Sequence, residues 1–328
     1  VNPQVECVGV SVVIPTYRRE QVLLDTIRVV LNQNPLPQEL LVVDQSPDHE
    51  AFVSQQLQSL HDEGRILWIR LAEPSIPKSM NHGLRMATQP VVLFLDDDLT
   101  AASTLVDWHW RTHQQFPEAV AVVGQVLQPD EVPRDVPAKE PRKGLRADLE
   151  FPFFRSEPDW VSNVMAGNLS VNRDYALKVG GFDENFIGVA YRFETEFARR
   201  VIAGGGKIRF CPEASINHLR AERGGTRSTG SHLTSADPKY GTGDYYFAFL
   251  HGGAPEAWRY SVQRVFREVR TKFHLRHPWW IPVKLVGELR ALWRGWRMAA
   301  TKHREASGEW RENSEPDAWP GNESNASA

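Results

Sequence analysis

Cysteine is scarce in this chain, with only Cys7 and Cys211 in 328 residues. Neither has a partner at metal-ligand spacing, so each is expected to be a small reduced core thiol. That usage argues against secretion, and a cytoplasmic setting is the expectation. Also lacking is a basic N-terminal stretch followed by a long apolar run, so no signal peptide is expected. No segment reaches the roughly 18–20 apolar residues that span a bilayer. Charge of one sign is missing too. Lys and Arg number 38 against 41 Asp and Glu, and the net charge of -3 excludes a polyanion binder along the whole chain, so nucleic acid is not an expected partner. No G-x-G-x-x-G follows a strand, and Gly204, Gly205 and Gly206 close a helix instead, which removes a dinucleotide oxidoreductase.

What remains is ordinary for a soluble globular protein, at 41% hydrophobic and 24% charged residues. The length suits one large α/β domain with an appendage, or two modest domains. Residues 9–15 form a β-branched run ending at Pro15, which reads as a buried parallel strand. Residues 20–32 have helical spacing, with Leu23, Ile27, Val30 and Leu31 on one face. Strands are expected at 39–44, 65–70 and 91–95, with helices near 51–60 and 78–87. Four such alternations predict a parallel sheet with right-handed crossovers. Ligands in such sheets sit at the carboxyl ends of the strands. Those ends carry Pro15-Thr16-Tyr17-Arg18, Asp44-Gln45-Ser46 and Asp96-Asp97-Asp98, so all three should open onto one crevice.

The second half changes character. Residues 128–159 are rich in Pro and charge and read as a long loop or mobile insertion. A strand-turn-helix pattern covers 160–179, and a helix is expected over 192–203. Strands are expected at 207–211 and 215–219. Helical pattern covers 244–276 and 283–302, and 305–328 has the composition of a disordered tail.

Three adjacent carboxylates after an apolar strand repel one another, and a hard divalent cation relieves that repulsion; Mn2+ or Mg2+ favours such ligands. Held by one or two carboxylates, the cation keeps positions open for phosphate oxygens and neutralises charge on a diphosphate leaving group. The alternative is a solvated acidic loop capping the next helix.

Several runs together resemble the family 2 glycosyltransferases. Val12 to Arg19 is similar to that family's opening strand, and Leu40 to Ser46 to its second. Asn81-His82-Gly83-Leu84 with Ala87 resembles its Asn-containing helix, and Phe94 to Asp98 its acidic metal motif. Val179 to Phe186 (VGGFDENF) resembles the acceptor-side turn. Glu194-Thr195-Glu196-Phe197 stands where the family carries Glu-Asp-x-Asp-Leu. Gly206 to Pro212 with His218 resembles the last core strand and its trailing histidine. The resemblance covers about 9–225.

The resemblance implies a GT-A nucleotide-diphospho-sugar transferase fold, with a mostly parallel central sheet flanked by helices and a C-terminal helical extension. It implies a catalytic domain over 1–225 (nucleotide half 9–125, acceptor half 126–225), an extension over 226–304 and the tail. Pro15, Thr16, Tyr17, Arg18 and Asp44 would hold the nucleoside, with Asp44 accepting from the base. Asp96 or Asp97 would contact the ribose or the metal, and Asp98 would ligate the metal. Asn81 belongs to the nucleotide side, and Lys78 adds charge near the diphosphate; Met80 replaces the Arg usual before Asn81. Gly181, Phe182 and Asp183 form the acceptor turn.

Glu194 is the candidate base, taking the acceptor hydroxyl proton in an inverting displacement. It departs from the pattern, with Phe193 in place of Glu and Glu194 in place of Asp. His218 is a candidate imidazole ligand to the cation, a structural histidine being the alternative. Arg223 and Arg227 lie in a glycine-rich cationic loop suited to a diphosphate, a merely solvated loop being the alternative. The expected function is transfer of a sugar from a nucleotide diphosphate donor to a glycan, lipid-linked or small-molecule hydroxyl acceptor; the alternative is a sugar-nucleotide-binding protein without transferase activity. A nucleotidyltransferase is discounted because Pro-Thr-Tyr-Arg occupies the place of its Gly-rich loop.

Between Trp258 and Arg304, Arg, Lys and Trp are dense. Val286, Leu289, Trp293 and Trp296 share a helical face that Arg290, Arg294 and Arg297 flank. Those Trp residues with Trp279 and Trp280 suit the headgroup region of an anionic membrane surface, and peripheral attachment to the inner face of the membrane is one expectation. Packing of these aromatics onto the catalytic domain is the other.

Overall fold

The computed structural model describes residues 6–136, 144–147, 149, 151–226 and 230–307. Expectations for Arg227, for parts of the 128–159 loop and for tail residues 308–328 lie outside the described residues.

Strand and helix alternate as the periodicity requires. β1 (Cys7–Thr16) leads to α1 (Gln21–Leu31), β2 (Leu36–Asp44) to α2 (Ala51–Asp62), β3 (Leu67–Arg70) to α3 (Ile76–Met86), and β4 (Val91–Leu95) to the acidic triplet. These strands pair in parallel in the order β3-β2-β1-β4. Val10, Val12, Val13 and Ile14 of β1 and Leu40 to Val43 of β2 are buried whichever way they point. Helices cover both faces, so the strands are continuous apolar runs and not alternating ones. α1 turns Leu23, Leu24, Ile27 and Val30 onto the sheet. Ser75 caps α3 by accepting the Lys78 N–H, with Pro77 in the first turn.

Beyond β4 the sheet is mixed. β5 (Leu99–Ala101), α4 (Leu105–Gln115), β6 (Ala119–Leu127), β7 (Asp159–Val161), β8 (Asn168–Asn172), α5 (Arg173–Lys178), α6 (Phe193–Ala203) and β9 (Lys207–His218) follow. The sheet path is β3-β2-β1-β4-β8-β6-β9-β5, with β7 added against β9. β8 is antiparallel to β4 and β6, and β9 is parallel to β6. The two strands expected at 207–211 and 215–219 are one strand, β9. Its ladder with β6 slips where the partner of Gly124 is Cys211 and that of Gln125 is Ser215. Pro212 in the slipped interval has no N–H to give the ladder, and the extra residues bulge out. Cys211 is buried as expected, but Cys7 is exposed at the first position of β1.

The described parts of 128–159 are tied down. A 3-10 turn spans Gly144–Arg146. The Leu145 N–H donates to Glu256, and Arg199 holds the Gly144 and Leu145 carbonyls.

The helical stretch expected over 244–276 is three helices: α7 (Thr242–His251), α8 (Ala254–Val269) and α9 (Lys272–Arg276). Gly252 and Gly253 end the first with Pro255 opening the second, and Thr271 caps the third. α10 (Ile281–Ser307) outruns the expected 283–302 and takes in the first residues assigned to the tail. α7 is a core helix, buried from Thr242 to Ala248. Its Asp244 is sealed from water and receives Arg192 at 3.0 Å, the Tyr260 hydroxyl at 2.7 Å and Arg264. Arg264 reaches on to Glu288 at 3.2 Å, which Lys284 meets at 2.9 Å. Each buried charge has an opposite partner, which offsets the desolvation that an isolated charge would suffer. The inner faces of the C-terminal helices thus pack on the sheet domain. Among the described residues no helix is long and apolar enough to cross a membrane.

Candidate active site at the carboxyl ends of the central strands

The parallel register places Thr16 beside Asp44, and Val13 beside Phe94, so β1, β2 and β4 end together. A cavity of about 520 Å³ opens there. Its wall includes Pro15, Thr16, Tyr17 and Gln45 from the first two strands, Asp96, Asp97 and Asp98 after β4, Met165 to Gly167 before β8, Glu194 on α6, and His218 at the end of β9. The crevice expected from topology therefore exists, and a helix and a strand far on in the sequence bring Glu194 and His218 to it.

The three carboxylates have different environments. Asp97 turns inward, where its Oδ2 accepts the Thr16 hydroxyl at 2.7 Å and its Oδ1 meets Arg19 Nε at 3.2 Å. Burial pushes this carboxyl up to about 7, against the pull of Arg19 and Thr16. Asp98 is 1% exposed at its side chain; its Oδ2 accepts the Ala221 N–H at 2.7 Å and meets Arg19 at 3.3 Å, while its Oδ1 lies 3.1 Å from His218 Nε2. Burial would raise Asp98, but the hydrogen bonds from His218 and the Ala221 N–H, with Arg19 nearby, hold it below the usual carboxylate range. Asp96 is the most open of the three, and its Oδ2 lies 3.8 Å from His218 Nε2. Gly167 lies against it, where a Cβ would stand 2.1 Å from Asp96 Oδ2. The absence of a side chain at this position is what admits the carboxylate.

His218 is oriented by Gln128. The Gln128 Oε1 accepts from Arg220 Nε at 2.7 Å, and an arginine only donates, so this atom is the amide oxygen. His218 Nδ1, 3.1 Å from the same oxygen, therefore carries a proton. That leaves Nε2 facing Asp98 and Asp96. The Asp98 hydrogen bond raises the imidazole above its ordinary value, against burial. With Nδ1 fixed as a donor, Nε2 presents either a proton or a lone pair toward two carboxylates.

Among the described residues no group of three or more His, Cys, Asp or Glu side chains surrounds a common metal position. The expected set of Asp96, Asp98 and His218 is adjacent but not preassembled. Asp98 has both oxygens engaged, by Arg19, the Ala221 N–H and His218.

Glu194 stands in the first turn of α6, half-buried, and its Oε1 accepts the Ala166 N–H at 2.7 Å. The Asp96 N–H donates to the Gly167 carbonyl at 3.1 Å. The same short loop thus holds both acids on the cavity wall. Glu196, two residues on, points into the protein instead and pairs with Arg200 at 2.6 Å. Arg200 in turn holds the Val179 and Gly181 carbonyls.

Other expected site residues lie off the cavity. Asp44 is fully buried; its Oδ1 accepts the Ser46 N–H at 2.8 Å, and its Oδ2 meets His49 at 2.8 Å and the Trp68 indole N–H at 3.0 Å. Burial would raise Asp44, yet the His49 and Ser46 hydrogen bonds hold it below its ordinary range. Arg18 is exposed, with its guanidinium 5.2 Å from the Tyr17 ring. Lys78 is paired with Glu73 at 3.3 Å. The Asn81 amide is spent on the acceptor-side turn, donating to the Phe182 carbonyl at 2.7 Å and to Glu184 at 2.8 Å, and accepting the Phe182 N–H at 2.8 Å. Gly181 fits over it at φ 62°, where a Cβ would lie 2.4 Å from Asn81 Oδ1. Phe182 is core, its ring centroid 4.4 Å from that of Phe197. Asp183 is clamped by the Tyr246 hydroxyl at 2.7 Å and by Lys302, tying α7 and α10 to this turn. Arg223 contributes its carbonyl, which Arg19 contacts.

Sequence reasoning placed Gln45 at the crevice without a role, and missed Arg19 and Gln128. Arg19 is the consequential one. It is 8% exposed, bridges Asp97 and Asp98, and anchors the 221–223 backbone through the Ala221 carbonyl at 3.0 Å. The adjacent Arg18 and Arg19 are the one local signal.

With this crevice at the ends of its parallel strands and an acidic run after the fourth, the mixed sheet has the GT-A glycosyltransferase fold. The crystal structure of GalNAc-T7 with UDP, GalNAc and Mn2+ shares that fold, with a TM-score of 0.55 and 14% identity, covering 77% of this chain and 54% of that one. Residues 11–180 match the model of glycosyl transferase family 2, more than half of the chain, and the chain belongs to that family. Glucosyl-dolichyl phosphate glucuronosyltransferase of Haloferax volcanii is 30% identical over 186 residues, covering 54% of this chain and 56% of the relative. Validoxylamine A glucosyltransferase of Streptomyces hygroscopicus subsp. limoneus is 25% identical over 202 residues, covering 54% of this chain and 44% of the relative. The matched region thus spans about half the length of these curated relatives.

Proposed function

We propose that this protein transfers a sugar from a nucleoside diphosphate donor to a hydroxyl acceptor, with inversion, and that 1–225 is its catalytic domain, followed by the helical extension over 226–304 and the tail over 305–328. The observation that carries the reading is the meeting of the post-β4 acids, His218 and Glu194 around one cavity. Pro15, Thr16 and Tyr17 line the nucleoside side. Asp44 acts at one remove, fixing Ser46 and His49 and so the turn that carries Gln45 into the cavity.

The chemistry of these donors, two carboxylates and an imidazole, suits a divalent cation, which would draw them together from their adjacent but not preassembled positions. Neighbouring ligands of an octahedral ion bound at about 2.0–2.1 Å stand roughly 3 Å apart. His218 Nε2 lies 3.1 Å from Asp98 and 3.8 Å from Asp96. Asp98, Asp96 and His218 would hold Mn2+ or Mg2+, which when bound neutralises charge on the diphosphate leaving group. The relative from the solved structures is described with Mn2+ and UDP, which supports this choice.

Glu194 accepts the acceptor proton as the hydroxyl oxygen attacks the anomeric carbon and the nucleoside diphosphate departs. The Ala166 N–H keeps the carboxylate on the cavity wall for that step. Arg19 holds Asp97 and Asp98 at fixed separation and pins the loop that covers the cavity. The name of the Haloferax relative points to a lipid-linked acceptor, and that of the Streptomyces relative to a small molecule. The lipid-linked class is preferred, because that relative is the more similar.

Thermal unfolding with UDP, GDP and dTDP, each with Mn2+ or with chelator, tests the reading. At a hundredfold excess over Kd a ligand stabilises by about 2.7 kcal/mol, a rise of several degrees. One nucleotide should stabilise the wild type only with Mn2+, and Asp98→Ala should lose the effect. Stabilisation by the same nucleotide in chelator, or unchanged in Asp98→Ala, would remove the metal from the mechanism.

A further inference from the structure

A second cavity, of about 560 Å³, lies away from the catalytic crevice along α10. Arg290, Arg294, Arg297 and Lys302 line it with Trp293, and Asn185 of the acceptor-side turn closes one end. Among the described residues Glu305 is the one carboxylate in its wall. Among the described residues no salt bridge joins Arg290, Arg294 or Arg297 to a carboxylate; Arg297 lies over the Trp293 ring at 4.6 Å. Three unneutralised guanidinium groups along one cavity create a local positive potential that a multiply hydrogen-bonding anion would satisfy.

Beside this basic row runs an apolar one. Val286, Leu289, Trp293 and Trp296 recur at helical spacing and remain exposed, Trp293 at 57% and Trp296 at 46%. The opposite face of α10 is buried, with Lys284, Glu288, Ala291 and Ala299 against the domain. The two rows are therefore parallel stripes on the solvent side of one helix. Trp279 just before it is 64% exposed, while Trp280 is half-buried. Soluble monomers rarely leave large aromatics so displayed in one contiguous place.

We infer that the outer face of α10 is a docking surface for an anionic phospholipid bilayer, with Arg290, Arg294 and Arg297 receiving headgroup phosphates and Leu289, Trp293 and Trp296 entering the interface. The charge complementarity selects this occupant. An apolar protein partner would leave the arginines desolvated and unpaired, whereas phosphate meets the guanidinium fork and an indole is favoured at headgroup depth. The helix is too polar to span the bilayer and lies along it. Lys302 ties the same helix to Asp183, so docking would set the orientation of the acceptor-side turn to the surface. The inference does not depend on the catalytic reading, and its test uses no turnover.

Flotation of the full chain with vesicles of phosphatidylcholine alone, and of equal parts phosphatidylcholine and phosphatidylglycerol, tests it. The wild type should float with the anionic vesicles at low salt, and lose binding at high salt and with phosphatidylcholine alone. Each arginine near an anionic surface contributes about fivefold to partitioning, so Arg290→Glu with Arg294→Glu and Arg297→Glu should reduce it by roughly a hundredfold or more. Trp293→Ser with Trp296→Ser should weaken it with both charges and melting temperature unchanged, and Phe52→Ser, an exposed aromatic on α2, should have no effect. Failure of the wild type to float, equal flotation on both vesicle types, or wild-type flotation of the arginine variant would each overturn the proposal. The salt and lipid arms use unmodified protein, so they decide even if a variant fails to fold.

Discussion

Replacing Arg19 by Met should cost more stability than any other single change at the crevice. Arg19 is 8% exposed, and its guanidinium joins two carboxylates, Asp97 at 3.2 Å and Asp98 at 3.3 Å, to the Ala221 and Arg223 carbonyls. Met keeps much of the volume but removes the charge. Asp97 then retains only the Thr16 hydroxyl among its short contacts, beside two other acids. Breaking a buried ion pair by deleting one partner costs about 3–5 kcal/mol, and the charge left desolvated is that of Asp98, because Asp97, already pushed up to about 7, takes a proton once the guanidinium is gone. The 221–223 carbonyls lose their donor as well. Urea unfolding followed by circular dichroism at neutral pH should show a loss in that range, and the melting temperature should fall by roughly 6 degrees or more. Arg19→Lys should recover part of the loss, since an ammonium restores charge but cannot span both carboxylates and both carbonyls. A loss below about 1 kcal/mol for Arg19→Met would refute the claim that this residue organises the acidic triplet.

Two further outcomes follow from buried groups. Burial pushes His109 down to about 3 and His113 to about 4, both against hydrogen bonds, so each folds as a neutral ring. With folded values below the ordinary 6.5, the unfolded chain takes up protons that the folded one does not. Stability is then complete above pH 6.5 and falls toward pH 4 by up to about 1.4 kcal/mol per pH unit for each histidine; denaturant titrations at several pH values should show His113→Gln with a shallower acid slope. Asn81→Ala should lose about 1–3 kcal/mol by stripping three hydrogen bonds, two of them buried, from the Phe182 turn, and should raise the acceptor KM more than it weakens nucleotide binding; equal losses in both would place Asn81 at the nucleotide.

Much of the fold is legible in the sequence because its signals are local. The runs ending at Pro15, Asp44 and Leu95 announce buried parallel strands, and the strand-end rule then places their following residues in one crevice without any contact being known. β9 was less legible. Its apolar pattern breaks at Pro212, and only the β6 ladder shows that one strand resumes after the bulge. The helical stretch near 252 divides because two glycines with a following proline cannot carry a helix through, a signal present in the sequence but weaker than the surrounding periodicity.

Side-chain direction was the harder part. Asn81 sits on a helix whose motif suggests the nucleotide, yet its amide turns to Phe182, a residue 101 positions away. Asp44 ends its strand at the crevice but faces His49 and Trp68. Arg19 gains its role from Asp97, Asp98 and the 221–223 backbone, which approach only once β4 and β9 share the sheet. Such long-range pairings have no periodicity or spacing to betray them.

The central claim is that Glu194 removes the acceptor proton during sugar transfer. Release of nucleoside diphosphate from a stabilising donor, measured in a single turnover with Mn2+ and a lipid-linked acceptor extract, tests it directly. Glu194→Gln keeps the size and an oxygen for the Ala166 N–H but cannot take a proton. It should bind the donor as the wild type does and transfer at least about a hundredfold more slowly. Transfer at the wild-type rate by that variant would contradict the assignment.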